Sequence, residues 1–116
     1  MFAGGFVVSA MSRIDVIKKI AESQPNEPFP KYGLAMEYKN AGHAEEAHAT
    51  FTELEARWPE YVAAYLMHGN LLASMHRLAE ARGVYEQGIA AARKKGDGHA
   101  LGELESALSN LPNDDD

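Results

Sequence analysis

The sequence predicts an all-α protein, an array of about six antiparallel helices without strands. Two observations lead to this prediction. The chain repeats itself with a shift of about 34 residues, so that Ala35 aligns with Gly69 and Ala47 with Ala81. Apolar residues recur at helical spacing, and no segment alternates with a period of two. Repeats of this length are typical of helical-hairpin arrays, in which one hairpin cannot bury its apolar face alone.

The first three helices follow from capping residues, breakers and apolar spacing. Ser12 and Asp15 form a capping-box pattern, and Pro25 lies in the segment that breaks the helix they begin. Gly42 is free to take the left-handed conformation after the second helix, and Pro59 closes the third. The apolar face of the first helix consists of Ile14, Ile17, Ile20 and Ala21.

The last three helices are delimited in the same way. His76 stands where the first repeat has Gly42, and a left-handed histidine is tolerated in such a turn. Gly96 ends the fifth helix, and Asp97 is placed to cap the sixth. The sixth helix is expected to bury Leu101, Leu104 and Leu108. The six predicted helices span residues 12–22, 30–40, 44–57, 62–75, 79–95 and 99–110.

Composition and charge narrow the class of function. The net charge is −6, and the basic clusters are confined to 18–19 and 93–95, which argues against a nucleic-acid partner. The chain has no cysteine, so disulfide and thiolate chemistry are excluded, and we expect a cytoplasmic protein. No apolar run approaches the roughly 20 residues that a membrane span requires.

The two ends of the chain are expected to lie outside the folded domain. Residues 1–11 are apolar, but no basic residue precedes Phe6, as it would in a secretory signal. Met11 followed by Ser12 has the form of a natural start. We therefore expect 1–11 to be a disordered extension, with a weakly apolar arm as the alternative. Residues 112–116 are expected to form an acidic tail.

The two copies of the repeat share a pattern of small and large side chains. The first copy has Leu34, Ala35, Tyr38, Ala47, Phe51 and Pro59. The second copy has Tyr65, Gly69, Leu72, Ala81 and Tyr85. This pattern resembles the tetratricopeptide repeat (TPR) family, in the form of a small bacterial-type TPR protein, whose pattern is W-x2-L-G-x2-Y, then A-x3-F, then P. Lys31, His68 and Arg93 depart from the family pattern.

The resemblance implies a single TPR-like domain over residues 12–111, wound as a right-handed superhelix. Ala35, Gly69, Ala47 and Ala81 would then lie where paired helices cross, because a larger side chain would force the axes apart. Tyr38, Phe51 and Tyr85 would fill the space between pairs. The domain would comprise a half repeat at 12–27, repeats at 28–61 and 62–96, and a capping helix at 98–111.

The resemblance also implies a non-enzymatic protein that binds a peptide or protein segment in its inner groove, the surface formed by the first helix of each pair. Self-association as a homodimer through the same apolar surface is the alternative. The groove positions are Phe29, Tyr32, Met36, Lys39 and Asn40 in the first pair, Leu66, Asn70, Ala73 and Ser74 in the second, and Gly102 and Ser106 in the sixth helix.

Two further considerations about these positions limit which partner the groove could bind. Phe29, Tyr32 and Met36 could pack against the first helix instead of facing a partner. Some TPR domains hold a terminal carboxylate with Lys, Arg and Asn side chains, and such a clamp cannot form from apolar and acidic residues. The corresponding positions here are Tyr32, Met36, Met67, His99 and Glu103.

The sequence contains no catalytic, cofactor or metal motif. His43 and His48 are five positions apart and diverge on a helix, so they do not form a zinc-binding pair. Glu45 and Glu46 open a helix, where acids favour its dipole. A pocket in which a histidine and a carboxylate converge would instead favour an enzyme.

The assigned register can be tested at the two aligned alanines, which should be almost fully buried. Ala81→Leu should overpack its helix crossing and lower the free energy of unfolding by about 1–3 kcal/mol. Glu80→Leu, one residue earlier and facing outward, should change stability much less. Denaturant melts of both variants measure the contrast. If Glu80→Leu were the more damaging change, the helix phases and the groove positions would be wrong together.

Overall fold

The computed structural model describes residues 12–113, which form an array of six α-helices without a strand in that range. Each helix contacts its sequence neighbours, and the short connections make those neighbours antiparallel. The predicted all-α class is therefore confirmed, whereas the extension at 1–11 and the last three tail residues lie outside the described range. The helices are α1 Arg13–Ser23, α2 Pro28–Asn40, α3 Ala44–Arg57, α4 Val62–Ser74, α5 Leu78–Lys95 and α6 Gly98–Ser109.

The helix ends use the predicted signals. The Ser12 hydroxyl accepts a hydrogen bond from the Asp15 backbone N–H at 3.0 Å, which completes the capping box. The Asp97 carboxylate accepts one from the Ala100 N–H at 3.0 Å. α2 begins two residues earlier than predicted, because Pro28 occupies the first helical position, which needs no N–H donor.

Three turns have the same backbone, and two of them, at Gly42 and His76, lie one 34-residue repeat apart. Gly42, His76 and Gly96 all have positive φ, at 83°, 60° and 74°. After each of them a backbone N–H reaches the carbonyl five residues earlier, at 2.9 Å in all three cases. This is the Schellman arrangement, which satisfies carbonyls left open at a helix end. The left-handed conformation predicted for His76 is confirmed.

The core consists of two adjoining clusters, and α4 contributes to both. Ala47 and Ala81 have no exposed surface, which confirms that both are buried as predicted. The first cluster comprises Ala35, Ala47, Phe51, Leu54, Ala64 and Leu71. The second comprises Val62, Tyr65, Leu72, Ala81, Tyr85, Ile89, Ala92 and Leu104.

Burial at the two ends of the array is lower than predicted. Ile20 is 45 % exposed, and α1 has no buried residue, because it packs against α2 and lies at the edge of the array. Tyr38 is only half-buried, as are Leu101 and Leu108 of α6. Leu101 and Leu108 are less buried than predicted because α6 is a terminal helix with neighbours on one side only, whereas the half-buried Tyr38 packs against the first core cluster. None of the described helices is long and apolar enough to cross a membrane.

Two glycines allow the closest helix approaches. A Cβ atom at Gly69 would lie 2.3 Å from the Tyr85 ring, so the phenol occupies the space that a side chain would need. A Cβ atom at Gly88 would lie 2.5 Å from the Cβ of Tyr65 and 2.9 Å from Leu104. Because the Tyr65 Cβ is fixed to its backbone, α4 and α5 can pack this closely only with glycine at position 88.

The close approach predicts opposite effects for two alanine substitutions in α5. Gly88→Ala should force α4 and α5 apart and lower the free energy of unfolding by about 1–3 kcal/mol. Gly83→Ala is the control, since a Cβ there meets no atom within 4 Å. Gly83→Ala should stabilise the protein by about 0.5–1 kcal/mol, because alanine has the higher helix propensity. Equal effects in urea denaturation would contradict the packing at Gly88.

Candidate functional site: the inner groove

The first helices of successive pairs, α2, α4 and α6, share a surface that holds two adjoining cavities. The smaller, of about 350 Å³, lies among all three helices and includes Tyr32 and Met67 in its lining. The larger, of about 610 Å³, lies between α4 and α6. Both are lined by Leu66, His99 and Glu103, so they form one continuous depression.

Five of the predicted groove positions line these cavities. Tyr32 borders the smaller one, Asn70 the larger and Leu66 both. Gly102 and Ser106 of α6 lie opposite them in the larger cavity. Residues from three separate helices are thus brought together along one depression.

The other predicted positions line neither cavity. Phe29 is 69 % exposed, Met36 packs against the first core cluster, and Ala73 packs against the second. Ser74 is exposed, and its hydroxyl donates a hydrogen bond to the Leu71 carbonyl at 2.6 Å. Lys39 is half-buried and Asn40 is exposed.

Tyr32 forms the aromatic wall of the smaller cavity. Its ring centroid lies 5.5 Å from that of Tyr61 and 6.4 Å from that of Phe51, in a tilted and an edge-on arrangement. Burial raises the pKa of both tyrosines, and the neighbouring Tyr32 raises that of Tyr61 further. The ring of Tyr32 therefore packs on α3 and the start of α4, which disfavours the alternative that it packs on α1.

Asn70 presents a hydrogen-bond donor to the larger cavity. The Tyr85 hydroxyl donates to the Asn70 side-chain oxygen at 2.6 Å. Burial raises the pKa of Tyr85, so this hydroxyl keeps its proton at neutral pH. Because the amide oxygen is engaged in this way, the two amide hydrogens of Asn70 remain to bind an acceptor in the groove.

The charged residues of the groove are mainly acidic. Asp97 and Glu103 line the smaller cavity, and His99 lies 3.5 Å from the Glu103 carboxylate. Within the described part of the chain, neither cavity has a lysine or arginine in its lining. A ligand with a carboxylate at this point would meet like charge, which is unfavourable in a partly desolvated cavity.

The polar cluster of His68, Glu55 and His48 was not anticipated from the sequence. His68 donates or accepts hydrogen bonds with both ring nitrogens: its Nδ1 lies 2.8 Å from a Glu55 carboxylate oxygen, and its Nε2 lies 2.8 Å from Nδ1 of His48. The only signal was that His68 occupies a leucine position of the repeat pattern. A buried polar group needs partners, but spacing along the chain does not identify them.

The convergence of His68 and Glu55 is the feature expected to favour an enzyme, and its geometry weighs against that use. Both ring nitrogens of His68 are already hydrogen-bonded, and its side chain is 3 % exposed. Neither nitrogen can reach a substrate in this arrangement. Over residues 12–113, no group of three or more histidine, aspartate or glutamate side chains is arranged to hold a metal ion.

A further cleft of about 870 Å³, the outer cleft, lies between α3 and α5, the second helices of their pairs. Its lining includes Ala56, Tyr65 and Ala90, together with Gln87 and Lys94. The sequence analysis did not anticipate it, because the cleft depends on the separation of two helices that are not neighbours in the chain. Substitutions in the outer cleft can therefore serve as controls for substitutions in the inner groove.

Comparisons with known proteins agree with the repeat pattern. The chain is 30 % identical over 98 residues to a TPR repeat-containing protein of Pseudomonas aeruginosa, which covers 84 % of this chain and 93 % of that protein. No protein-family model matches the sequence. The extent and identity of the Pseudomonas match establish the class: the chain belongs to the tetratricopeptide repeat family.

Solved structures show the same architecture. The solution structure of a TPR domain protein from Salinibacter ruber is 38 % identical, with a TM-score of 0.70 over 73 % of this chain and 86 % of that one. A protein from Bordetella parapertussis is 22 % identical, with a TM-score of 0.74 over 86 % and 87 % of the two chains. The second likeness shows the fold alone.

The hydrogen bond that orients Asn70 predicts a separable role for the Tyr85 hydroxyl. Tyr85→Phe keeps the ring over Gly69 but removes the bond, so the free energy of unfolding should fall by about 1 kcal/mol. The Asn70 side-chain amide resonances should also shift in an NMR spectrum. Tyr85→Leu, which removes the ring as well, should cause a clearly larger loss of stability. Equal losses for the two variants would contradict this division.

Proposed function

We propose that this protein is a non-enzymatic interaction module that binds a peptide or protein segment in the inner groove. The observation that carries the proposal is the continuous depression shared by α2, α4 and α6, with Tyr32 and Leu66 as apolar walls and the Asn70 amide as a donor. Apolar walls with a few fixed polar groups are typical of binding sites.

The groove chemistry indicates the kind of segment that fits. An apolar side chain would pack against Tyr32 and Leu66, while the Asn70 amide donates to a backbone carbonyl. The acidic lining at Glu103 and Asp97 favours a neutral or basic segment over an acidic one. This agrees with the absence of a carboxylate clamp that the sequence implies.

The remaining parts of the proposal follow from the family and the composition. The protein acts in the cytoplasm, without a cofactor or a metal, and its partner is a protein and not nucleic acid or a membrane. TPR proteins are characteristically scaffolds, and the acidic net charge of −6 is unsuited to phosphate backbones.

Substitutions that fill the groove test the proposal. Gly102→Arg and Ser106→Arg both place a long cation in the larger cavity from exposed positions of α6. A peptide selected from a random library against the wild-type protein should lose at least about tenfold in affinity for either variant. Gln87→Arg, in the outer cleft, is the matched control and should leave the affinity unchanged. Titration calorimetry measures all three, and equal affinities throughout would refute groove binding.

Self-association is the second candidate, and exposed apolar residues favour it. Val16 and Ile20 of α1 are 44 % and 45 % exposed, and Phe29 of α2 is also exposed. A symmetric dimer would remove such surface from water. Light scattering over a hundredfold range of concentration decides this point: a constant monomer mass excludes the homodimer, and a dimer mass that Phe29→Ser abolishes supports it.

A further inference from the structure

A chain of polar side chains crosses the contact between the two repeats. It begins at Glu55 of α3, passes through His68 of α4 and His48 of α3, and ends at Arg77, which precedes α5. The successive distances are 2.8 Å from Glu55 to His68, 2.8 Å from His68 to His48, and 3.3 Å from His48 Nε2 to Arg77 Nη2. The chain therefore joins the second helix of one repeat to both helices of the next.

The end groups fix where the protons of this chain lie. The Glu55 carboxylate only accepts, so His68 donates to it through Nδ1–H. The Arg77 guanidinium only donates, so His48 accepts through Nε2. The remaining bond then runs from His48 Nδ1–H to His68 Nε2. Every ring nitrogen has a partner of the right kind only when both imidazoles are neutral.

Added protons cannot be accommodated without breaking this chain. If both rings were protonated, two N–H groups would face each other across the 2.8 Å between His48 and His68. If His68 alone took up a proton, its Nε2–H would donate to Nδ1 of His48. His48 would then carry its own proton on Nε2, where it would face the Arg77 guanidinium. The ring of His68 cannot turn away easily, because it is stacked on Phe51 at 5.2 Å with an interplanar angle of 18°.

We propose that this chain makes the junction between the two repeats sensitive to acid, so that the contact between α3 and α4 weakens as the pH falls from 7 to 5. The folded pair of histidines holds at most one added proton. The unfolded chain takes up two once the pH is well below 6.5, the ordinary pKa of histidine. Folding therefore excludes at least one proton in this range, and acid favours the unfolded state.

The charges around His48 are consistent with this direction. Desolvation, followed by His68 and Arg77, lowers the pKa of His48, and the more distant Glu80 and Glu45 only partly oppose this. The hydrogen bond from Arg77 lowers the pKa of Glu80 below its ordinary value. Protonation of Glu80 therefore lowers the stability of the folded protein only below pH 5, outside the range of the proposal. A base with a lowered pKa in the folded state destabilises the protein as the pH falls through its unfolded value.

Unfolding measurements at pH 7.0, 6.0, 5.5 and 5.0 test the proposal. For the wild-type protein, the unfolding equilibrium constant should rise by an amount approaching tenfold per pH unit below about pH 6. His48→Gln lets a protonated His68 donate to the glutamine oxygen, so this part of the rise should disappear. His43→Gln is the control: it removes a half-exposed imidazole from the start of the same helix and should keep the wild-type slope.

A second measurement on the wild-type protein needs no variant. NMR spectra that correlate ring nitrogens with carbon-bound protons should show, at pH 7, that both His48 and His68 are protonated on Nδ1 alone. A proton on Nε2 of either ring would overturn the proposal. So would a flat wild-type stability curve between pH 7 and 5, or a His48→Gln variant with the wild-type slope.

Discussion

Helix α4 must be enclosed by neighbours on both sides, and most other features of the structure follow from that constraint. Its Ala64 and Leu71 belong to the first core cluster, whereas Val62, Tyr65 and Leu72 belong to the second. A helix that is apolar nearly all round is typical of such an interior position. The enclosure demands close approach of the axes, which is why a Cβ is missing where α4 meets the Tyr85 ring.

The inner groove is the part of α4 that this packing leaves uncovered. Once two clusters have used most of its circumference, the surface that remains includes Leu66 and Asn70, four residues apart on one helical face. α2 and α6 then contribute the flanking walls. The same enclosure removes water from His68, so a polar residue at a leucine position becomes stable only with charged groups at both ends of a hydrogen-bond chain.

The sequence predicts the parts of this fold that depend on local pattern. The 34-residue period, the turn glycines and the aligned pair Ala47 and Ala81 are enough to place the helices and their crossings, because each depends on residues within one hairpin. The partners of His68 lie in another helix, 13 and 20 positions away. Which groove residues meet depends on how α6 docks against α4, and no local pattern determines that arrangement.

One buried ring belongs to the surroundings of both the groove and the polar chain. Phe51 stands edge-on to Tyr32, the aromatic wall of the smaller cavity, and is stacked on the ring of His68. Interiors packed at this density transmit displacement because they contain few voids to absorb it. The Tyr32 wall packs on Phe51 as well as on Tyr61, and Phe51 in turn packs on His68. The inner groove and the junction between repeats therefore share one buried ring in this small array.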